Sequence, residues 1–561
     1  MENKAISRSL RLLAQLMELH EENPFKIKSV ANAAFKIDKL PFAIAAKPAD
    51  EIGLIDGIGK SIAAKLMELL TTGTIQDLEK ILLETPPGIV EMLAIKGIGP
   101  KKIGVIWRDL KIENVGELYY ACNENRLIEA KGFGLKTQEE IKKIIEFKMA
   151  ANGKFLYAHL ETAVNELLAG FILRLQPVDE KAVVSVAGDF RRCAEIVEEL
   201  IIVVGTDNAE PIREQVAKFE MLDLKILDDQ TLVGHLPSGL HVQVVLTELR
   251  SFPLLLFKLT GNSEHVTQVT DLLAEELNFE SEKAIYAAAG LPYIEPELRE
   301  NNGELQLAKN HQLPDLILFE DLKGSLHNHS DWSDGVHTLE EMAIYCKEVL
   351  KLDYLGISDH SKSAFYAKGL SEQRVEAQHR QIDELNAKLS PFKIFKGIES
   401  DILNDGSLDY SNDILATFDF VVASVHSNLR MAEDKATARL IKAIENPFTT
   451  ILGHPTGRLL LTRKGYPIDY QKIIDACAAN GVAIEINSNP LRLDLDWRWH
   501  QYALEKGVLL AINPDAHRKE GFHDMRYGVM VARKGGLSAE KCLNAFTLQE
   551  ITKYFKDKSG R

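Results

Sequence analysis

The pattern of apolar and polar positions changes character twice along the chain. Up to about residue 150, apolar residues recur three or four apart, as in "SRSLRLLAQLMELHEENPF", which is the spacing of amphipathic helices joined by short glycine turns. From roughly Leu175 to Glu248, runs such as "AVVSVAG", "ELIIVVG" and "LHVQVVL" have strand length and mix with helical segments. A helical stretch follows, then the proline-punctuated "GLPYIEPELREN", which suits a domain edge, and a linker is expected near Gly303–Lys323. In the last third, seven apolar runs each end in polar residues: "GSLHNH", "YLGISDH", "FKIFKGIES", "FVVASVHS", "TTILGHP", "VAIEINSN" and "LLAINPDAH". Helix-length segments such as "TLEEMAIYCKEVLKL" and "YQKIIDACAANG" separate most of them. Strands alternating with helices, with polar groups at the strand C-terminal ends, are the layout of a (β/α) barrel.

A length of 561 residues allows about three to five domains, each with its own core. The longest apolar patches, "LIIVV" and "FPLLLF", fall far short of the roughly 18 residues that a membrane span needs. The N-terminus lacks the basic start and unbroken apolar middle of a secretory signal, so a cytoplasmic protein is expected. Cys122, Cys193, Cys346, Cys477 and Cys542 are scattered without a CxxC pair. That spacing argues against disulfides and against thiolate zinc sites, leaving His and carboxylate to hold any metal. The net charge of −16 argues against indiscriminate nucleic-acid binding through a broadly basic surface, though not against a local site. A carboxylate-rich metal centre accounts for part of the excess.

Three glycine turns look alike: "IDGIGKSIAAKL" from Ile55, "IKGIGPKKIGVI" from Ile95 and "AKGFGLKTQEEI" from Ala130. Gly57 and Gly59, Gly97 and Gly99, and Gly132 and Gly134 permit a tight turn with positive φ, and the next helix start offers free N–H groups to a phosphate oxygen. Lys60 follows the first turn, and Lys96, Lys101 and Lys102 crowd the second. One such copy is an ordinary helical corner. Three copies resemble the helix-hairpin-helix motif, which implies a grip on DNA backbone phosphates without sequence reading.

"SLHNHSDWSDG", from Ser325 to Gly335, places two histidines one residue apart and follows them with aspartates. In a strand, His327 and His329 would face the same side. Asp515 and His517 repeat that spacing, and with Asp334, His360, Glu399, His426 and His454 they complete the candidate ligands at the strand ends. Nitrogen and oxygen donors without sulfur suit zinc, manganese or iron, and nine of them exceed the needs of one ion, so two or three divalent ions are expected. Clustered ions activate water and stabilise the leaving oxygen of a phosphate ester, which favours phosphate-ester hydrolysis. For any single histidine, a core or capping role is the plainer reading.

"HNHSDWSDG", "SDH", "GIESDIL", "SVHS", "GHPTGR" and "PDAH", in this order, resemble the motifs of the PHP (polymerase and histidinol phosphatase) domain, a distorted seven-stranded barrel with a trinuclear metal centre. The resemblance implies one ion on His327, His329, Glu399 and Asp515, a second on Glu399, His426 and His454, and a third on Asp334, His360 and His517. It further suggests Asp359 as an outer partner of the catalytic site and Arg458 or Arg492 as phosphate contacts.

Upstream, "NPFKIKSVANAA", the hairpins, "AGDFRR", "LTGNSEH" and "GLPYIEPELRENNGE" resemble the bacterial family X DNA polymerases over essentially the whole chain. The implied fold is multidomain α/β. Residues 1–85 are a helical lyase-like domain and 86–150 a fingers-like helical domain, each with a helix-hairpin-helix. Residues 151–240 form an α+β nucleotidyltransferase-like palm, 241–315 a thumb-like domain and linker, and 316–561 the (β/α)7 PHP barrel. The implied activity is a manganese-dependent 3′-to-5′ exonuclease, with endonuclease action at abasic sites, in DNA repair. The implied partner is gapped, recessed or abasic DNA, met by a monomer at the nucleoid.

One part departs from the family pattern, in which Gly-Ser-x-Arg-Arg precedes an Asp-x-Asp pair and a third Asp. Here Asp189, followed by Arg191 and Arg192, replaces the serine, Glu199 and Ile201 replace the pair, and Gln243 replaces the third. Ile201 cannot hold a cation, and the adjacent Glu198 and Glu199 would face opposite sides of a strand, so a degenerate polymerase site is expected. Lys65 stands where some relatives carry a Schiff-base lysine, although a solvated helical lysine is the simpler reading. Other readings are an active gap-filling polymerase, a small-molecule phosphatase of the histidinol phosphatase type and a non-catalytic DNA-binding scaffold.

Overall fold

The computed structural model describes residues 1–95, 97–128, 130–150, 153–219, 221–274 and 278–559; Lys96 of the second hairpin lies outside them. The chain divides into two compact units, Met1–Phe147 and Lys148–Arg561.

In the first unit, the amphipathic helices Asn3–Leu19 and Pro24–Asp38 bury Ile6, Leu10 and Leu13 against Val30, Ala33 and Ile37. The three glycine turns lead into Lys60–Thr72, Pro100–Arg108 and Leu135–Ala150. Gly57, Gly97 and Gly132 have φ of 81°, 94° and 89°, the region that disfavours a β-carbon. The second glycine of each turn, Gly59, Gly99 or Gly134, has nothing within 4 Å of where a β-carbon would sit, so the approach to each helix start is open.

The second unit begins with a five-stranded sheet. Glu199–Gly205 runs antiparallel to Val183–Ala187 and parallel to His241–Thr247, so the three expected runs are adjacent. Apolar "FPLLLF" forms part of the helix Phe252–Thr260. The stretch expected at a domain edge is instead packed: Leu291, Ile294 and Leu298 join a core with Phe257 and Tyr286, and Arg299 is fully buried. The expected linker is likewise structured. Its helix Glu304–Lys309 buries Leu305 and Ala308, and Ile317 enters the barrel core, because these apolar side chains have a surface to cover.

All seven barrel strands form, as Gly324–Ser325, Tyr354–Ile357, Lys393–Asp401, Phe420–Ser424, Ile451–Leu452, Ala483–Asn487 and Leu510–Asn513. They pair in chain order and entirely in parallel. Between the first and seventh strands the ring is drawn together by a bridge from Asn328 to Ala516, with His329 N–H donating to the Ala516 carbonyl at 2.9 Å. The third strand shows how the interior is filled. Phe395, Gly397 and Glu399 alternate onto one face, and a β-carbon on Gly397 would lie 2.2 Å from the Phe420 ring. Phe395, Phe420, Val422 and Ile451 pack with Leu543, Ile551 and Phe555 from the C-terminal segment, leaving the polar strand ends to face the other way.

Candidate metal centre

The barrel brings all nine candidate ligands together. His327 and His329 do not lie in a strand as expected: the first strand stops at Ser325, and the histidines flank the bridging Asn328. Asp515 and His517 flank its partner Ala516. A single bridge therefore does the work of the expected strand, turning each i, i+2 pair toward the same interior. Asp515 and His454 both have positive φ, of 54° and 23°, a cost carried at these candidate ligand positions.

Glu399 is the hub. Its Oε1 lies 3.2 Å from His327 Nε2, 3.1 Å from His426 Nε2 and 3.1 Å from His454 Nε2, while Oε2 lies 2.9 Å from His360 Nδ1 and 3.6 Å from His329 Nε2. Asp515 Oδ1 is 3.1 Å from His329 Nε2 and 3.6 Å from His327 Nε2. Asp334 meets His517 Nε2 at 3.3 Å and His360 Nε2 at 3.6 Å. Donor atoms close enough to share an ion form three overlapping groups: His327, His329 and Asp515; His360, Glu399 and His426; and His329, Asp334, His360 and His517. His329 and His360 each belong to two of these, where the family resemblance assigns each to one ion.

His454 Nε2 and Glu399 Oε1 are hydrogen-bonded, but several of the other atoms are not. His327 Nε2, His329 Nε2, Asp334 Oδ2, His360 Nδ1 and Glu399 Oε2 are all buried without a hydrogen-bond partner. Such atoms are costly unless something else satisfies them, and convergent imidazole and carboxylate donors fit divalent cations. Three histidines are already oriented for this. His327 Nδ1 is 2.7 Å from Glu485 Oε1, His426 Nδ1 pairs with Asp401, and His517 Nδ1 is 2.9 Å from the Asp515 carbonyl. Donation from Nδ1 leaves the Nε2 lone pair facing the cluster. Burial, with the neighbouring His517 and His360 rings, holds His329 at about 3, so it is neutral at physiological pH. Burial alone would raise Glu399, but His426, His327 and His360 hold it well below the usual carboxylate range.

Sequence reasoning missed Glu485 and Asp401. Glu485 sits in the strand "AIEIN", where a carboxylate between Ile484 and Ile486 breaks an apolar run. Besides His327 it accepts from the His454 backbone N–H at 2.7 Å and from Asn513 Nδ2 at 3.1 Å, tying four strand ends together. Glu485→Ala is expected to weaken metal binding by about 10- to 100-fold, as loss of such outer partners does. Titration with a metal-sensitive dye against wild type measures it.

Asp359 bonds to side chains around the candidate ligands, including Ser333 Oγ, which lies 3.5 Å from His329 Nδ1. It accepts from Ser330 N at 2.8 Å, Ser330 Oγ at 2.7 Å and Gln378 Nε2 at 2.7 Å, fixing the loop that carries His329 and Asp334. Burial pushes it up to about 6. Arg458 is turned aside, with Nη1 on Asp496 at 2.5 Å and Nε on the Arg492 carbonyl at 2.8 Å, so its donors are engaged within the fold. Arg492 adjoins the cluster: after burial, its charge is the next cause lowering the pKa of His454.

The five-stranded sheet gathers a different set. Ile201 pairs directly with Gln243, Glu199 Oε1 lies 2.8 Å from His241 Nδ1, and Asp189 Oδ1 pairs with Arg192 at 2.5 Å. Arg191 is bound to Glu282, and Arg192 also reaches Glu300 at 2.8 Å. Among the described residues, every group of metal-competent side chains lies in the barrel. In the first unit, Lys65 Nζ pairs with Asp77, and Lys102 Nζ stands 5.4 Å over the Phe133 ring; Lys60 and Lys101 lie in the opening turns of their helices.

Comparison with known proteins agrees with this architecture. A family described as a helix-hairpin-helix domain matches residues 1–75. The "DNA polymerase/3′-5′ exonuclease PolX" of Bacillus subtilis (strain 168) is 33% identical over 579 residues, spanning 99% of this chain and 100% of that protein. A "probable phosphatase" of Thermoanaerobacter sp. (strain X514) is 30% identical over 187 residues, 32% of this chain and 74% of the relative. Another, from Shewanella sp. (strain ANA-3), is 37% identical over 133 residues, 22% of this chain and 50% of the relative. Near-complete coverage at this identity, together with the hairpins and the seven-stranded barrel, shows that the chain belongs to the bacterial family X DNA polymerases that carry a C-terminal PHP domain.

Proposed function

We propose that the barrel end is a metal centre that hydrolyses DNA phosphodiesters, as a 3′-to-5′ exonuclease and as an endonuclease at abasic sites. The carrying observation is the convergence of eight His, Asp and Glu side chains in three overlapping groups with metal-ligand spacing, joined by His454 on Glu399 at 3.1 Å. His327, His329, Glu399 and Asp515 would hold one manganese, zinc or iron ion, Glu399, His426 and His454 a second, and Asp334, His360 and His517 a third. His329 and His360 stand between groups and would steady the cluster as a whole. Bound ions would supply activated water and charge stabilisation for the leaving oxygen. Asp359 positions the His329–Asp334 loop, and Arg492 is the better placed of the two arginines to meet phosphate. Arg458 serves the fold.

On this reading, residues 1–85 and 86–150 grip gapped, recessed or abasic DNA by backbone phosphates, through open helix starts at Gly59, Gly99 and Gly134 and the neighbouring Lys60, Lys101 and Lys102. Residues 151–240 and 241–315 keep the polymerase frame without its chemistry, since Ile201 and Gln243 replace metal-binding carboxylates and Asp189 and Glu199 are tied to Arg192 and His241. Residues 316–561 cut. The protein acts as a monomer in the cytoplasm, at the nucleoid. Incubating a 5′-labelled oligonucleotide with manganese tests this: shortening from the 3′ end is expected, and release of phosphate from small monoesters without action on DNA would favour the phosphatase reading instead. Lys65, paired with Asp77, is assigned no lyase role. Borohydride trapping on abasic DNA is accordingly expected to be equal in wild type and Lys65→Ala, and its loss in the variant would restore that role.

A further inference from the structure

Phe365 is 70% exposed, the most exposed phenylalanine among the described residues of the second unit. It lies five positions beyond the candidate ligand His360, and its ring meets Tyr366 edge-on at 6.0 Å, while Tyr366 stands 6.4 Å from the His360 ring. The loop that carries it is a stiff bracket. Leu370 N–H donates back to the His360 carbonyl at 2.8 Å, and Ser361 N–H to the Glu399 carbonyl at 3.0 Å. Ser363 is held by Asp409 at 2.6 Å and by Asp401, the partner of His426, at 2.7 Å. Ala364 and Ala367 are fully buried on either side of the exposed ring. Gly369 crosses so close to Ser361 that a β-carbon would fall 1.9 Å from its carbonyl oxygen. The bracket thus fixes a large apolar ring in solvent beside the centre, where it contributes little to the core.

Rigid, exposed and aromatic, such a ring offers a face that any nucleobase can stack on. Building on the nuclease reading above, we propose that Phe365 is a stacking platform for the 3′-terminal base of the DNA strand whose phosphodiester lies at the metal centre.

The test uses the manganese-loaded full chain and two 5′-labelled oligonucleotides, one with a normal 3′-terminal nucleotide and one whose terminal sugar lacks its base. Wild type is expected to show a KM at least about fivefold lower for the first. Phe365→Ala is expected to lose that preference, and Phe365→Trp to keep it. A preference that survives in Phe365→Ala, or is missing from wild type while both strands are cut, overturns the platform and leaves the nuclease reading standing. If wild type hydrolyses bis(p-nitrophenyl) phosphate but neither oligonucleotide, the nuclease reading falls and the platform falls with it.

Discussion

Glu399→Ala is expected to cut phosphodiester hydrolysis by at least about a thousandfold, because its carboxylate lies within reach of five imidazoles and no other side chain can replace it between them. Removing it leaves His327, His426 and His454 facing an empty centre and takes away the negative charge that would hold two ions together. Metal content by elemental analysis is expected to fall in parallel. Because Glu399 is buried and held low by His426, His327 and His360, the metal-free variant is expected to unfold at a lower temperature than wild type, and circular dichroism checks that it is folded where activity is read. Hydrolysis within tenfold of wild type, at full metal content, would remove Glu399 from the centre.

The second large effect concerns the polymerase frame. Glu282 receives both ends of the Arg191 guanidinium, at 2.9 and 2.5 Å, and also Arg299 at 2.5 Å. Arg299 is fully buried among the rings of Phe257, Tyr286 and Tyr293. Glu282→Ala would leave two cations without their partner, at a cost of about 3–5 kcal/mol. Urea unfolding is expected to shift to lower concentration by that amount; a shift below about 1 kcal/mol would show that Arg191 and Arg299 find other partners. Burial acts to raise the Glu282 pKa, but the two arginines hold it below the ordinary carboxylate value. Its contribution is therefore complete at neutral pH and is lost as the pH falls through the acid range, not as it rises. The same network bears on function, since it occupies an arginine of the motif that in the family pattern precedes the catalytic carboxylates.

Much of this was legible in the sequence because the signals were local. The seven strands announced themselves as apolar runs closed by polar residues, His, Asp or Glu in six of them, and each hairpin by two glycines at fixed spacing. Candidate ligands that sit at or just beyond six of the seven strand ends need only the barrel to bring them together. What stayed hidden depends on distant pairing. Nothing near His327 or His329 shows that Asn328 would bridge to Ala516, nor that Glu485, 158 residues away, would orient His327. The fate of Arg458 was hidden for the same reason. It looked available for phosphate until the fold set Asp496 and the Arg492 carbonyl against it. The stretch from Leu291 to Lys323 misled through its prolines and polar residues, while the apolar residues between them were enough to bury it.

On the proposed reading, the barrel cuts DNA while the five-stranded sheet no longer extends it. A single experiment addresses both halves: a 5′-labelled primer on a longer template, incubated with manganese, with and without the four deoxynucleoside triphosphates, for wild type and Asp515→Ala. Shortening by wild type that is abolished in Asp515→Ala, with no extension by either protein, is the predicted result. Extension of the primer by both proteins would contradict it and would make Glu199, Ile201 and Gln243 part of a working polymerase site.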